Sequence, residues 1–269
     1  MGRGSSGIGG AGGGKDFPEA FAPGKDFQAV GGVNHTARTV SRTTQGEWDQ
    51  FSVPMSQGVT ATDEAAIMRD WSPTPNSEGA YVTGYVRTQN AFAINKALYD
   101  PNNAGKSDAQ IFSRAADRKT VKAMDKAINS NTTQADGSYT RYCSPDAVQA
   151  TFGLSNSQMA MVQQAQSMSP AQLRQLNRAL SGSQSHTRAY TSTSANRSLN
   201  AFSNPNAPQS KGFTFERRIN VPKGTKAFAP RKNAQESEVI FGRGMTTKLT
   251  GISVSGTHII MHESFVGYN

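Results

Sequence analysis

Glu236 and Glu238, one residue apart in the stretch NAQESEVIFGRG, are the groups of this 269-residue chain best spaced for acid chemistry. In an extended strand the side chains at i and i+2 share a face, so the two carboxylates would stand side by side, each raising the other's cost of ionisation. A solvated strand edge carries the same pattern, so other residues must decide between the two readings. Arg141, in SYTRYCS, offers a permanently charged planar fork of donors that matches a phosphate. Ser192, Thr193 and Ser194, in AYTSTS, place three hydroxyls in succession. Singly, each stretch reads as a solvated charge or a turn.

The elements that must position these groups divide the chain. TDEAAIMRDWS is read as a helix capped by Thr62 or Asp63, and YVRTQNAFAINKALYD and RKTVKAMDKAINSN repeat apolar residues at helical spacing. SPAQLRQLNRALSG has Ser169 as cap, Pro170 at the first helical position and Gly182 past the end. SYTRYCS reads as a strand, and from residue 186 strand patterns take over: HTRAYTSTS, KGFTFERRINVP, KAFAP, SEVIFGRG, KLTGISVSG and HIIMHESFVGY. Helices first and strands later, without regular alternation, predict an α+β fold with a mixed, mostly antiparallel sheet.

Residues 1–45 are rich in Gly, Ser and Thr, a composition that does not offset the entropy of ordering a backbone, and are expected to form a flexible arm. Residues 46–269 are expected to form one domain, helical over 46–135 and sheet-rich over 136–269. The first residues lack the apolar run of a secretory signal, and no segment approaches the roughly 20 apolar residues of a membrane span. A single cysteine, Cys143, excludes an internal disulfide framework, and the four histidines show no metal-ligand spacing. The formal charge of +9 favours anionic partners. The basic residues are dispersed and no nucleic-acid-binding motif is present, so nucleic acid is a weakly supported partner.

The order of the three stretches, with INVPKGTKA between the second and third, resembles the arginine-type, toxin-like mono-ADP-ribosyltransferases, in which an Arg, a Ser-Thr-Ser and a Glu-x-Glu mark three strands of one NAD site. The resemblance spans residues 80–269 and is strongest over 186–244. It implies a helical part followed by a split sheet, NAD as substrate without a metal, and transfer of ADP-ribose to arginine of a target protein with release of nicotinamide. It also assigns roles. Arg141 holds the pyrophosphate, Glu238 faces the nicotinamide ribose, Ser192 fixes the Glu238 carboxylate, and Glu236 serves the acceptor arginine. Thr193 and Ser194 line the site and knit the strand to its neighbour, and Phe202 covers the nicotinamide in preference to Phe213, which reads as strand core. Apart from the resemblance, Arg231, in the loop APRKNAQ leading to the acids, is expected to contact the target protein.

Two departures stand out: Tyr142-Cys143 follow Arg141 where relatives often carry Gly, and Gly242 stands where Pro is common. The first makes Arg188 and Arg87 alternatives to Arg141. An NAD glycohydrolase on the same fold, and a phage structural protein that binds nucleic acid through its arm, are the competing functions. The expected place of action is the cytoplasm of the producing cell or of a target cell.

Overall fold

The computed structural model describes residues 45–70, 94–196, 213–231 and 237–269. Among the described residues five helices come first: α1 (Gln45–Ser52), α2 (Ala61–Asp70), α3 (residues 94–99), α4 (Asp108–Ile111) and α5 (Ala115–Asn129). Strand β1 (Gly137–Cys143) is followed by α6 (Pro145–Phe152), α7 (Asn156–Gln163) and α8 (Pro170–Leu180). The remaining strands are β2 (Gln184–Thr187), β3 (Thr191–Ser194), β4 (Phe215–Val221), β5 (Ala227–Phe228), β6 (Glu238–Phe241), β7 (Met245–Ser255) and β8 (His258–Tyr268). The α+β order expected from the sequence holds.

Local chemistry sets most of these boundaries. In α8 the Ser169 side chain accepts from the backbone of Gln172, whose own side chain reaches back, and Gly182 follows the end at φ 93°. The same device starts α7 at Ser155, and Ser144 with Pro145 starts α6. Neither of those helices stands out by apolar periodicity, so only their serine caps mark them in the sequence. The start of α2 also differs from expectation: Thr60 accepts from the backbone of Asp63 at 3.0 Å, so Thr62 and Asp63 lie inside the first turn.

The eight strands form one sheet in the order β2-β7-β8-β4-β1-β3-β6-β5. Every neighbouring pair is antiparallel except β4 and β8, so the sheet is mixed. HTRAYTSTS, expected as one strand, is two. Tyr190 is fully buried between them, its hydroxyl donating to Val121 O at 3.1 Å and to Asp125 Oδ1 at 2.6 Å. This anchor turns the chain, so β2 edges the sheet beside β7 while β3 lies deep within it.

Three apolar clusters hold the layers together. Helix α5 buries Val121, Met124 and Ile128 against Tyr190, Phe228 and Ile240. Helices α6 to α8 bury Val148, Phe152, Val162, Leu176 and Leu180 against Phe215, Leu249 and Met261. Trp48 and Phe51 of α1 join Tyr139, Val239 and Phe241, with the Trp48 indole donating to Pro230 O at 2.6 Å. Each large side chain so buried contributes about 1.5–3 kcal/mol relative to exposure. Within the sheet, Arg217 of β4 and Glu263 of β8 form a buried two-pronged ion pair at 2.6 and 2.7 Å. Burial alone would lower the Arg217 pKa, but the Glu263 carboxylate outweighs it and holds the guanidinium above its ordinary value.

Candidate active site

The sheet is weakest between β1 and β3. A single residue pair, Thr140 with Ser194, joins them, whereas the register of β1 on β4 runs unbroken from Gly137 opposite Val221 to Cys143 opposite Phe215. On the far side β3 pairs with β6 from Thr191 opposite Phe241 to Ser194 opposite Glu238. The three sequence stretches that could carry chemistry therefore lie on three adjacent strands at this split. Their separation along the chain is erased by the strand order.

Three residues are linked there. Arg141 Nη1 donates to the carbonyl of Ser192 at 2.8 Å, and Ser192 Oγ donates to Glu238 Oε1 at 2.5 Å. Arg141 and Ser192 are half-buried and Glu238 is buried; a partly open guanidinium grips the backbone, and the carboxylate takes the hydroxyl, of the same serine. Such a contact, short and charge-assisted, orients an acid firmly. Thr193 Oγ1 donates to Val239 O at 2.8 Å and Ser194 Oγ to Asn196 O at 2.7 Å. These two hydroxyls knit β3 to β6 and close the turn after β3.

Of the two acids expected in one extended stretch, only Glu238 lies among the described residues. β6 begins at Glu238, and Ser237 between the two acids has φ 47°, in the left-handed region that a residue with a Cβ rarely adopts. Ser237 is fully buried, and its carbonyl accepts from Ala195 N at 2.9 Å. A conformation costing about 1–3 kcal/mol persists only where its surroundings fix it. The described part of the acid stretch thus starts with a turn at Ser237, and Glu238 opens the strand.

Residues that sequence reasoning missed brace this arrangement. Arg243, just beyond β6, pairs with Asp108 of α4 at 2.7 Å and with Asp125 of α5, and lies over the Tyr190 ring at 5.8 Å. Burial first, and the Asp125 carboxylate second, hold the Tyr190 pKa well above its ordinary value. Asn95 of α3 accepts from Tyr190 N at 3.2 Å and faces its carbonyl, fastening the residue that enters β3. A lone Asn amid the apolar FAINKAL was the available signal for that role. Gly242 leaves room for Tyr268, whose hydroxyl lies 3.4 Å from Gly242 N.

Arg231 is engaged internally: its backbone N–H donates to Glu64 at 2.7 Å and its guanidinium to Ser56 at 2.8 Å. It anchors the segment leading to the acids, which corrects the expectation that it projects toward a target. Arg188 is exposed beyond β2 and makes no contact with Arg141, Ser192 or Glu238 among the described residues. Phe213 precedes β4 and is half-buried, so the strand core at that end is Phe215. Glu236, Phe202 and Arg87 lie outside the described residues. Among the described residues, no three His, Cys, Asp or Glu side chains are grouped to hold a metal ion, and no helix is long and apolar enough to cross a membrane.

A family model described as ADP-ribosyltransferase exoenzyme matches residues 64–263. Comparison with curated proteins finds no match. Among solved structures, the chain is similar to C3stau2 from S. aureus, solved with NAD: TM-score 0.56, 19% identity, covering 82% of this chain and 94% of that one. It is also similar to the C3 exoenzyme of Clostridium limosum, with TM-score 0.54 and 17% identity over 84% of this chain and 96% of that one. Plx2a, an ADP-ribosyltransferase toxin from Paenibacillus larvae, gives TM-score 0.53 and 14% identity over 84% and 98%. At these identities the likenesses show the fold, and it is the one the sequence led us to expect.

Proposed function

The chain belongs to the ADP-ribosyltransferase exoenzyme family, with NAD as its substrate, and from that membership we propose that it transfers ADP-ribose to arginine of a target protein. The observation that carries the reading is the Ser192–Glu238 contact beside Arg141, at the split between β1 and β3. In the reaction the bond between nicotinamide nitrogen and ribose C1′ breaks, and nicotinamide leaves with the electron pair. Positive charge then develops on the ribose, and a carboxylate held still by a hydroxyl stabilises it without having to reorganise. That is the task of Glu238. Arg141 holds a phosphate, and the contact between its guanidinium and the Ser192 carbonyl ties the anion site to the acid site.

Glu236 orients the acceptor guanidinium and takes its proton as nitrogen bonds to C1′, since a fully protonated guanidinium is a poor nucleophile. Phe202 covers the nicotinamide. The neighbour C3stau2 was solved with NAD, in keeping with this use of the site. The target is a protein inside the producing cell or a target cell. The test supplies labelled NAD with either a small guanidine compound or a small carboxamide. Label moving to the guanidine alone supports arginine; label moving to the carboxamide, or appearing only as free ADP-ribose, overturns the acceptor assignment.

A further inference from the structure

Strand β3 reads Thr-Ser-Thr-Ser and carries hydroxyls on both faces. A strand whose two faces are alike has no apolar pattern to choose its register, and a slip of one residue turns every side chain to the opposite face. Its partner β6, Glu-Val-Ile-Phe, buries apolar residues on both faces and offers no alternation either. On the other side β1 contributes the single pair of Thr140 with Ser194. Yet the register matters to one residue. Ser194 stands opposite Glu238, which puts Ser192 on the same face and within reach of the carboxylate. A slip of one residue would bring a threonine to that place and carry the serine hydroxyl to the other face.

The end of the strand pair farther from Glu238 is held from outside the sheet. Tyr190 immediately precedes β3, and Arg243 comes two residues after Phe241, the partner of Thr191. Both end on one carboxylate. Asp125 Oδ1 accepts from the Tyr190 hydroxyl at 2.6 Å and from Arg243 Nε at 3.1 Å, and Asp125 Oδ2 accepts from Arg243 Nη2. Asp125 stands on α5, which is fixed by its buried Val121, Met124 and Ile128. Asp108 of α4 takes more of the Arg243 fork, at 2.7 and 3.3 Å. Two-pronged, charge-assisted contacts of this kind set direction as well as distance. Slipping β3 by one residue would shift Tyr190 by about 3.4 Å along the strand, away from a carboxylate that Arg243 keeps in place.

We propose that Asp125 is a positioning residue for the transfer reaction: by joining Tyr190 at the end of β3 to Arg243 beyond the end of β6, it sets the register that brings Ser192 to Glu238. It acts through that serine and not on the substrate. The proposal rests on the reading of Glu238 as the acid that faces the ribose.

The test is a double-mutant cycle in the full chain, with Asp125→Asn, Ser192→Ala and the two together, read by kcat and KM for NAD cleavage and by melting temperature. Asp125→Asn keeps the shape and loses the charge, and is expected to lower kcat by about 10-fold with KM little changed. In the Ser192→Ala background the same change is expected to cost less than about 2-fold, because the contact it serves is already gone. Equal losses in the two backgrounds make Asp125 a structural residue and overturn the proposal, as does an unchanged kcat in Asp125→Asn. If Asp125→Asn does not fold, Tyr190→Phe removes the hydroxyl alone and carries the same expectations. A parent-like kcat in Ser192→Ala by itself overturns the reading of the Ser192–Glu238 contact and this proposal with it, whereas a failure confined to the Asp125 variants leaves that reading standing.

Discussion

The hydroxyl of Ser192 and the carboxylate of Glu238, 46 residues apart in sequence, meet at 2.5 Å across neighbouring strands. The contact lies between the one half-buried residue of β3 and the first residue of β6, so it fixes the acid at the point where the strand opens. Ser192→Ala removes the restraint without enlarging any side chain. The expected result is a fall in kcat for NAD cleavage of about 10- to 100-fold, with KM little changed and the melting temperature preserved. Unaltered kcat would show that Glu238 needs no such restraint.

The two glutamates separate by the step they serve. Glu238→Gln is expected to abolish both protein labelling and NAD hydrolysis, because no acceptor reacts until the glycosidic bond breaks. Glu236→Gln is expected to abolish labelling while nicotinamide release continues. Both swaps are isosteric, so circular dichroism should match the parent. Identical behaviour of the two variants would end this division of labour.

Arg141→Lys keeps the charge but loses the fork, and with it simultaneous contact to the Ser192 carbonyl and a phosphate. Steady-state kinetics should show kcat/KM for NAD lowered by about 10-fold or more in a chain that folds normally. Parent-like kinetics would move the role to Arg87.

Cys143 is buried beneath α6, and burial pushes its thiol up from 9.0 to about 11. At pH 8 about one molecule in a thousand then carries a thiolate, so a maleimide should label the folded chain slowly and the denatured chain at once. The unfolded thiol ionises first, so this contribution to stability is complete below about pH 9 and is lost as pH rises toward 11. Rapid labelling of folded protein at pH 8, with activity lost in step, would contradict a core role.

Much of the molecule was legible in its residues. The stripe of Val121, Met124 and Ile128, the Ser169-Pro170 start of α8 and the strand patterns after residue 186 are local signals, and local signals survive in sequence order. The chemistry-bearing stretches were legible for another reason: Arg, hydroxyl and acid are the types that an NAD site requires, and their order matched a known pattern. What was misread came from contacts between distant segments. HTRAYTSTS looks like one strand until Tyr190 is anchored on α5, and Arg231 looks like a free surface charge until Ser56 and Glu64 engage it.

By itself, then, the sequence determined the element types, the α+β class and which side chains could act, because propensity, capping and residue chemistry are properties of short stretches. Tertiary structure alone decided the strand order that sets the strands of Arg141, Ser192 and Glu238 side by side. It also decided the left-handed turn at Ser237 from which β6 starts at Glu238. These depend on which strands pair, and that is settled by packing between residues far apart in the chain.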